Sequence, residues 1–339
     1  MGNGLRKAFF LGGILYFLIC MPLQSVAQEE VRLQMLSSKL GTAAYALGHA
    51  LSEIVNKHHP WLRMESLQTS GMVENLMTPI KVPGKRKNTV FFASKYMIHQ
   101  AKVADRPFKK SYKNFRAICR VGMFADPFAT LDPKIKTKDD LIGKKISLPV
   151  KGTAVWTIPK FIMDHGWGIW DKVKIEPGMF WAQGKNALLD GMIDVSLQSV
   201  VKIGNKWVGT PATSELMATK PTYWVSLGDP KAIKIAREKS GYPIGIIKIP
   251  AGALGPTQPD PIWSADFPNN WYVDAAMDEK VVYELVKTIY EYAQEFAKYH
   301  ALGRGITKDS MAEIAIAEED FHPGAVKLYK EKGVKIGSR

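Results

Sequence analysis

The sequence predicts an α/β protein of two units, each a parallel-rich sheet with crossover helices. Three observations carry that expectation. Strand-like and helix-like runs alternate through residues 31–93. The same alternation restarts near residue 146. And 339 residues are enough chain for two hydrophobic cores. Parallel strands need long crossovers, so this grammar implies parallel pairing.

The first residues read as a leader. Arg6 and Lys7 precede the uncharged apolar run Ala8–Ile19, and Ser25-Val26-Ala27 places small residues where a signal peptidase reads. The run is too short to span a bilayer as a helix. Residues 1–27 are therefore expected to be a cleaved signal peptide and the protein to be periplasmic. A retained anchor, or a lipoprotein modified at Cys20, is the alternative. Without Cys20 the one remaining cysteine is Cys119, so no disulfide is expected. Its apolar neighbours Ala117 and Ile118 imply a buried, inert thiol.

Val31–Leu36 reads as a strand. Gly41–His59 has apolar residues at helical spacing (Ala44, Leu47, Leu51, Ile54, Val55), and Pro60 stops it. Arg63–Leu67 is the next strand. Thr69-Ser70-Gly71 is a turn, and Val73–Met77 opens a helix with Glu74 in its first turn. Thr89–Ala93 is a buried strand. Phe115–Phe128 reads as two strands broken near Asp126-Pro127. In the second unit, Ile146–Leu148 is a strand, 149–153 a turn, and an apolar helix follows to about His165. Val173–Ile175 and Ile193–Leu197 are strands, with Gly184–Leu189 a helix between them. Thr219–Asp260 is rich in Pro and Gly and reads as irregular. Met277–Lys298 reads as one amphipathic helix, and Asp320–Gly333 holds a short one.

Ligands of open parallel sheets sit beyond the carboxyl ends of the strands. Two facing sheets would form a cleft there, with helix N-termini offering free N–H groups to an anion. The formal net charge of +14 reads first as a basic, solvated surface, and otherwise suits an anionic solute or an acidic partner face. Nucleic acid is not expected, because the lysines are scattered and not interleaved with aromatics. Catalytic motifs are missing: no Gly-x-Ser-x-Gly, His-Glu-x-x-His, phosphate loop or Cys-x-x-Cys occurs. No enzyme activity, cofactor or metal is expected. His58-His59 reads as a solvated helix end, since adjacent helical residues point about 100° apart. Asp139-Asp140 reads as a charge pair at a helix start. Of nine Trp, most are expected in the core and one or two in a ligand pocket.

Several segments together resemble one family, the TAXI-type binding proteins of tripartite ATP-independent periplasmic (TRAP) transporters. Gly41-Thr42-Ala43-Ala44-Tyr45-Ala46-Leu47-Gly48 resembles the family's Gly-Gly-Thr-Tyr-Tyr-Pro-Leu-Gly. Thr69-Ser70-Gly71-Met72-Val73-Glu74-Asn75-Leu76 resembles Thr-Gly-Gly-Ser-Val-Glu-Asn-Leu. Pro149-Val150-Lys151-Gly152-Thr153 resembles Pro-Gly-Ser-Gly-Thr, and Ile249-Pro250-Ala251-Gly252 resembles Ile-Pro-Ala-Gly. His322-Pro323-Gly324-Ala325, with Tyr329 and Glu331-Lys332-Gly333, follows the family's C-terminal pattern. The resemblance implies a two-lobed, type II flytrap fold. Lobe 1 would be 28–124 with 268–339, and lobe 2 would be 125–267. It further implies capture of a small organic acid by a monomer and delivery to a TRAP membrane permease. A binding protein of an ATP-driven importer or of a sensor is the alternative. The cleft residues it implies are Thr42, Tyr45, Ser70, Gly71, Asn75, Gly152 and Thr153.

The departures speak to the ligand. Ala43 and Ala44 stand where the family has Thr and Tyr, and Met72 replaces Ser. Phe92-Ala93-Ser94-Lys95 replaces a typical Val-Gln-Ser-Asp, and Lys151 replaces Ser. A glutamate-like ligand would lose hydrogen-bond partners, at about 1–3 kcal/mol for each buried bond unmade. The expected ligand carries one carboxylate and an apolar or aromatic body. Lys151 would hold the acid; Met72 with Trp156 or Trp181 would hold the body. Ala43 and Ser94 complete the expected lining.

Overall fold

The computed structural model describes residues 29–337, so the leader reading lies outside the described residues. β1 (Val31–Leu36), α1 (Ala43–His58), β2 (Leu62–Leu67), α2 (Met72–Lys81), β3 (Thr89–Ser94) and α3 (Lys95–Val103) form the first βαβ series. β4 (Phe115–Ala125) leads through Asp126-Pro127 into β5 (Phe128–Thr130). Then come β6 (Lys145–Leu148), α4 (Ala154–Phe161), β7 (Lys174–Pro177), α5 (Trp181–Leu189) and β8 (Val195–Leu197). They are followed by β9 (Val200–Ile203), β10 (Lys206–Gly209), α6 (Pro211–Thr219), β11 (Tyr223–Val225), α7 (Pro230–Ser240) and β12 (Ile246–Ile249). β13 (Ile262–Asp274), α8 (Glu279–Glu291) and α9 (Pro323–Glu331) finish the fold.

Two sheets result, as in a two-lobed α/β protein. The first runs β10-β9-β4-β13-β3-β1-β2, with β12 also paired to β13. The second runs β11-β5-β8-β6-β7. Both are mixed, which corrects the parallel-rich expectation. Among the strands of the described residues, only β2-β1-β3 and β8-β6-β7 pair in parallel; every other strand pair is antiparallel. In the second sheet β5 runs antiparallel to both β8 and β11; in the first, the central cause is β13, a 13-residue strand that no crossover helix directly precedes. It enters antiparallel between β3 and β4. Its Pro268 pairs with β4 just before the β3 pairing begins at Asn269, so its missing N–H breaks no β3 bond.

The chain passes between the sheets at Asp126-Pro127 and again at Gln198-Ser199, between β8 and β9. These crossings meet in a buried polar knot. Lys95 Nζ donates to both carboxylate oxygens of Asp266 at 2.7 Å, and Tyr96 OH donates to the Asp266 carbonyl at 2.7 Å. Asp126 is 1% exposed, its N–H donates to Ser264 Oγ, and its Oδ1 has no hydrogen-bond partner. Burial without a counter-charge pushes its carboxyl up to about 7.

Other expectations fare variously. The Met277–Lys298 helix stops at Tyr292, and a 3₁₀ turn (Ala293–Lys298) follows. Thr219–Asp260 is not irregular: it holds β11, α7 and β12. Asp229 caps α7, accepting from the N–H groups of Lys231 and Ala232; Pro230 sits at its first turn and Gly241 ends it. His58-His59 is not solvated. His58 stacks on Tyr292 and bonds Glu295 at 3.1 Å, while His59 Nδ1 accepts the Leu62 N–H at 2.8 Å. Cys119 is buried, as its apolar neighbours imply.

Candidate ligand-binding site

The expected site residues fall at the carboxyl ends of the parallel strands. β3, β1 and β2 lie side by side, so the starts of α1, α2 and α3 share one edge of the first sheet. Thr42 caps α1: its Oγ1 accepts the Tyr45 N–H at 3.2 Å and donates to Lys39 O at 2.7 Å. Ala43 and Tyr45 are half-buried in the first turn. Ser70 donates from N–H and Oγ to Glu74 Oε2, both at 2.7 Å. These charge-assisted bonds hold the Glu74 carboxyl below its usual range. Gly71 has φ +127°, which only glycine adopts without strain, and it starts α2. Met72 packs on the first core.

Asn75 is fully buried. Its Nδ2 donates to Ser37 O and Phe92 O, both at 2.8 Å, tying α2 to the end of β1 and to β3. Its Oδ1 is buried without a partner. Ser94 caps α3 by accepting the Met97 N–H at 3.2 Å. Lys95, one of the two cations set apart by sequence, is fully buried against Asp266 and is no free charge. Burial outweighs that pairing and lowers its ammonium from the usual lysine range.

The second sheet repeats the plan at β6 and β7. Gly152 (φ +86°) turns the chain before α4, and Thr153 Oγ1 donates to Val150 O at 2.7 Å. Lys151 is exposed and makes no ion pair among the described residues. Its Nζ lies 5.6 Å from the centre of the Trp156 ring. Trp156 is 8% exposed and meets Trp170 edge-to-face at 5.8 Å. Lys151, Trp156, Trp170, Asp171, Val173, Ile175 and Pro177 line a solvent-open cavity of about 360 Å³. The volume suits a small organic molecule.

Trp181 starts α5, one loop away: Gly178 N–H donates to Pro149 O and Met179 N–H to Leu148 O. Its indole N–H is buried without a partner. Its carbonyl accepts from Gln198 Nε2, which also donates to Ser196 Oγ; Ser196 in turn bonds Ser147. Of the thirteen expected residues, Lys151 and Trp156 line the cavity; Gly152, Thr153, Trp181 and the first-sheet group do not. Sequence reasoning missed Trp170, Val173 and Ile175. Trp170 reaches Trp156 past a π-helical turn, Ile162–Gly166, that no periodicity announces.

Solved structures share this fold. The TctC solute binding protein from Polaromonas, solved with no ligand, aligns with a TM-score of 0.51 at 14% identity, covering 82% of this chain and 87% of that one. XAC2383 from Xanthomonas citri bound to ATP aligns with a TM-score of 0.51 at 11% identity, covering 89% and 98%. At such identities the likeness is one of fold. The model of the NMT1-like family matches residues 35–333, nearly all of the described chain, and this protein belongs to that family.

Proposed function

We propose that the protein is a periplasmic solute-binding protein, with no catalytic step of its own, that captures a small organic acid and delivers it to a membrane permease. The carrying observation is the pairing of Lys151 with Trp156 at the mouth of the second-sheet cavity. An exposed ammonium over an indole face, next to apolar walls, offers a carboxylate a charge partner and its body an aromatic wall. Asp171 on the rim disfavours a second negative charge, which supports a monocarboxylate over a dicarboxylate.

The finer reading keeps the TRAP permease as partner, on the TAXI-like segments around Gly41, Gly71, Gly152 and His322. Lobe 1 (28–124 and 268–339) and lobe 2 (125–267) would close over the acid, with Thr42, Ser70 and Asn75 facing it from lobe 1. Mass spectrometry of the small molecule released on denaturation tests the ligand class. A stoichiometric monocarboxylic acid with an apolar body is expected; a polar, glutamate-like acid would refute the pocket argument. Uptake by the reconstituted permease, driven by an ion gradient without ATP, would support the TRAP assignment, and an ATP requirement would replace it.

A further inference from the structure

We infer that the pole of the first sheet opposite the ligand edge is a docking face for an anionic phospholipid surface. α2 and α3 start at the ligand edge and end at this pole, where β1 begins and β4 starts its run. Two loops meet there. The 3₁₀ turn Pro83–Lys87 follows α2, and residues 104–114 follow α3. The Arg86 guanidinium lies 5.3 Å from the Tyr112 ring centre, and Tyr112 N–H donates to Ala101 O at 2.7 Å. Lys85 Nζ donates to Gln34 Oε1 of β1, which fixes the turn to the sheet. The pole is therefore one surface, not two separate tails.

That surface is cationic. Lys81, Lys87, Arg106, Lys109, Lys110 and Lys113 are all exposed and form no ion pair among the described residues. The nearby carboxylates are already engaged. Asp105 accepts from Tyr242 OH and the Arg106 N–H, Asp274 is buried under Tyr112 OH, and Asp320 pairs with Lys102. Val82 and Val103, at the ends of α2 and α3, stand 48% and 52% exposed among these charges. Unpaired cations around exposed aliphatic side chains match a lipid surface: phosphates meet the ammonium groups, and the valines enter the headgroup layer.

Vesicle flotation of the full chain tests this. Vesicles of phosphatidylcholine with phosphatidylglycerol are compared with pure phosphatidylcholine, in low and high salt. Lys109→Glu, Lys110→Glu and Lys113→Glu are combined in one variant. Lys231→Glu, Lys234→Glu and Lys239→Glu on α7 form a control of equal net charge. Binding to the anionic vesicles should fall at least about tenfold in the pole variant and in high salt, and stay in the control. A Lys→Gln version of the pole variant, melting like wild type, guards against misfolding. Equal binding to both vesicle types, or equal loss in both variants, would overturn the proposal. Unchanged vesicle binding with impaired solute uptake would overturn it in favour of an acidic protein partner.

Discussion

The two strand-end regions follow one plan and use their polar groups differently. At the first sheet, Thr42, Ser94 and Asn75 spend their side chains on backbone groups of the fold, and Lys95 is neutralised by Asp266. At the second, Lys151 is free, exposed and set against an aromatic wall beside a cavity. The same βα turn that stiffens one region leaves the other a charge to offer. On the proposed reading, recognition of an anion would fall mainly to the second region, while the first region's polar groups stiffen the fold.

Removing a first-region charge should give the largest effect. Lys95→Ala leaves Asp266 buried and unpaired, and should lower unfolding stability by about 3–5 kcal/mol in urea titrations. An unchanged midpoint would show that the pair adds no rigidity. The next effect sits between the sheets. The folded Asp126 carboxyl titrates at about 7, above its unfolded value, so the neutral form favours the fold. Its contribution is present in acid and lost as pH rises from about 4 through 7, a span of up to about 4 kcal/mol. Asp126→Asn should flatten that fall, and its advantage over wild type should appear at pH 8 and vanish near pH 4. Parallel pH–stability curves would contradict this.

Asn75→Ala frees two buried carbonyls, at Ser37 and Phe92, and should cost about 2 kcal/mol by thermal unfolding. A shift below about 0.5 kcal/mol would mean that the α2 tether is dispensable. Lys151→Ala should be the smallest in stability, within about 0.5 kcal/mol, because the side chain is exposed and unpaired. A large loss there would make the second region structural as well and blur the contrast.

Much of this was legible locally. β1, α1, β2 and β3 follow from alternation, helical spacing and the Pro60 stop, all contained within short windows. The Lys151–Thr153 turn and the helix after it were legible for the same reason. Long-range pairing was not. β13 joins β3 and β4 across the chain, and Lys95 looks like a spare cation until Asp266, 171 residues away, is brought beside it. α7 carried its own signals in Asp229, Pro230 and Gly241, but the surrounding Pro and Gly hid them. In the site, Trp156 was legible from its turn, whereas Trp170 depends on a π-helical turn with no sequence period.

The most direct test is calorimetric titration of aliphatic and aromatic monocarboxylates into wild type and Lys151→Ala. Wild type should bind, and the variant should bind at least about tenfold more weakly, the worth of one charge-assisted contact, with stability unchanged. Equal affinity for both proteins would take Lys151 out of the site and move recognition back to the first sheet.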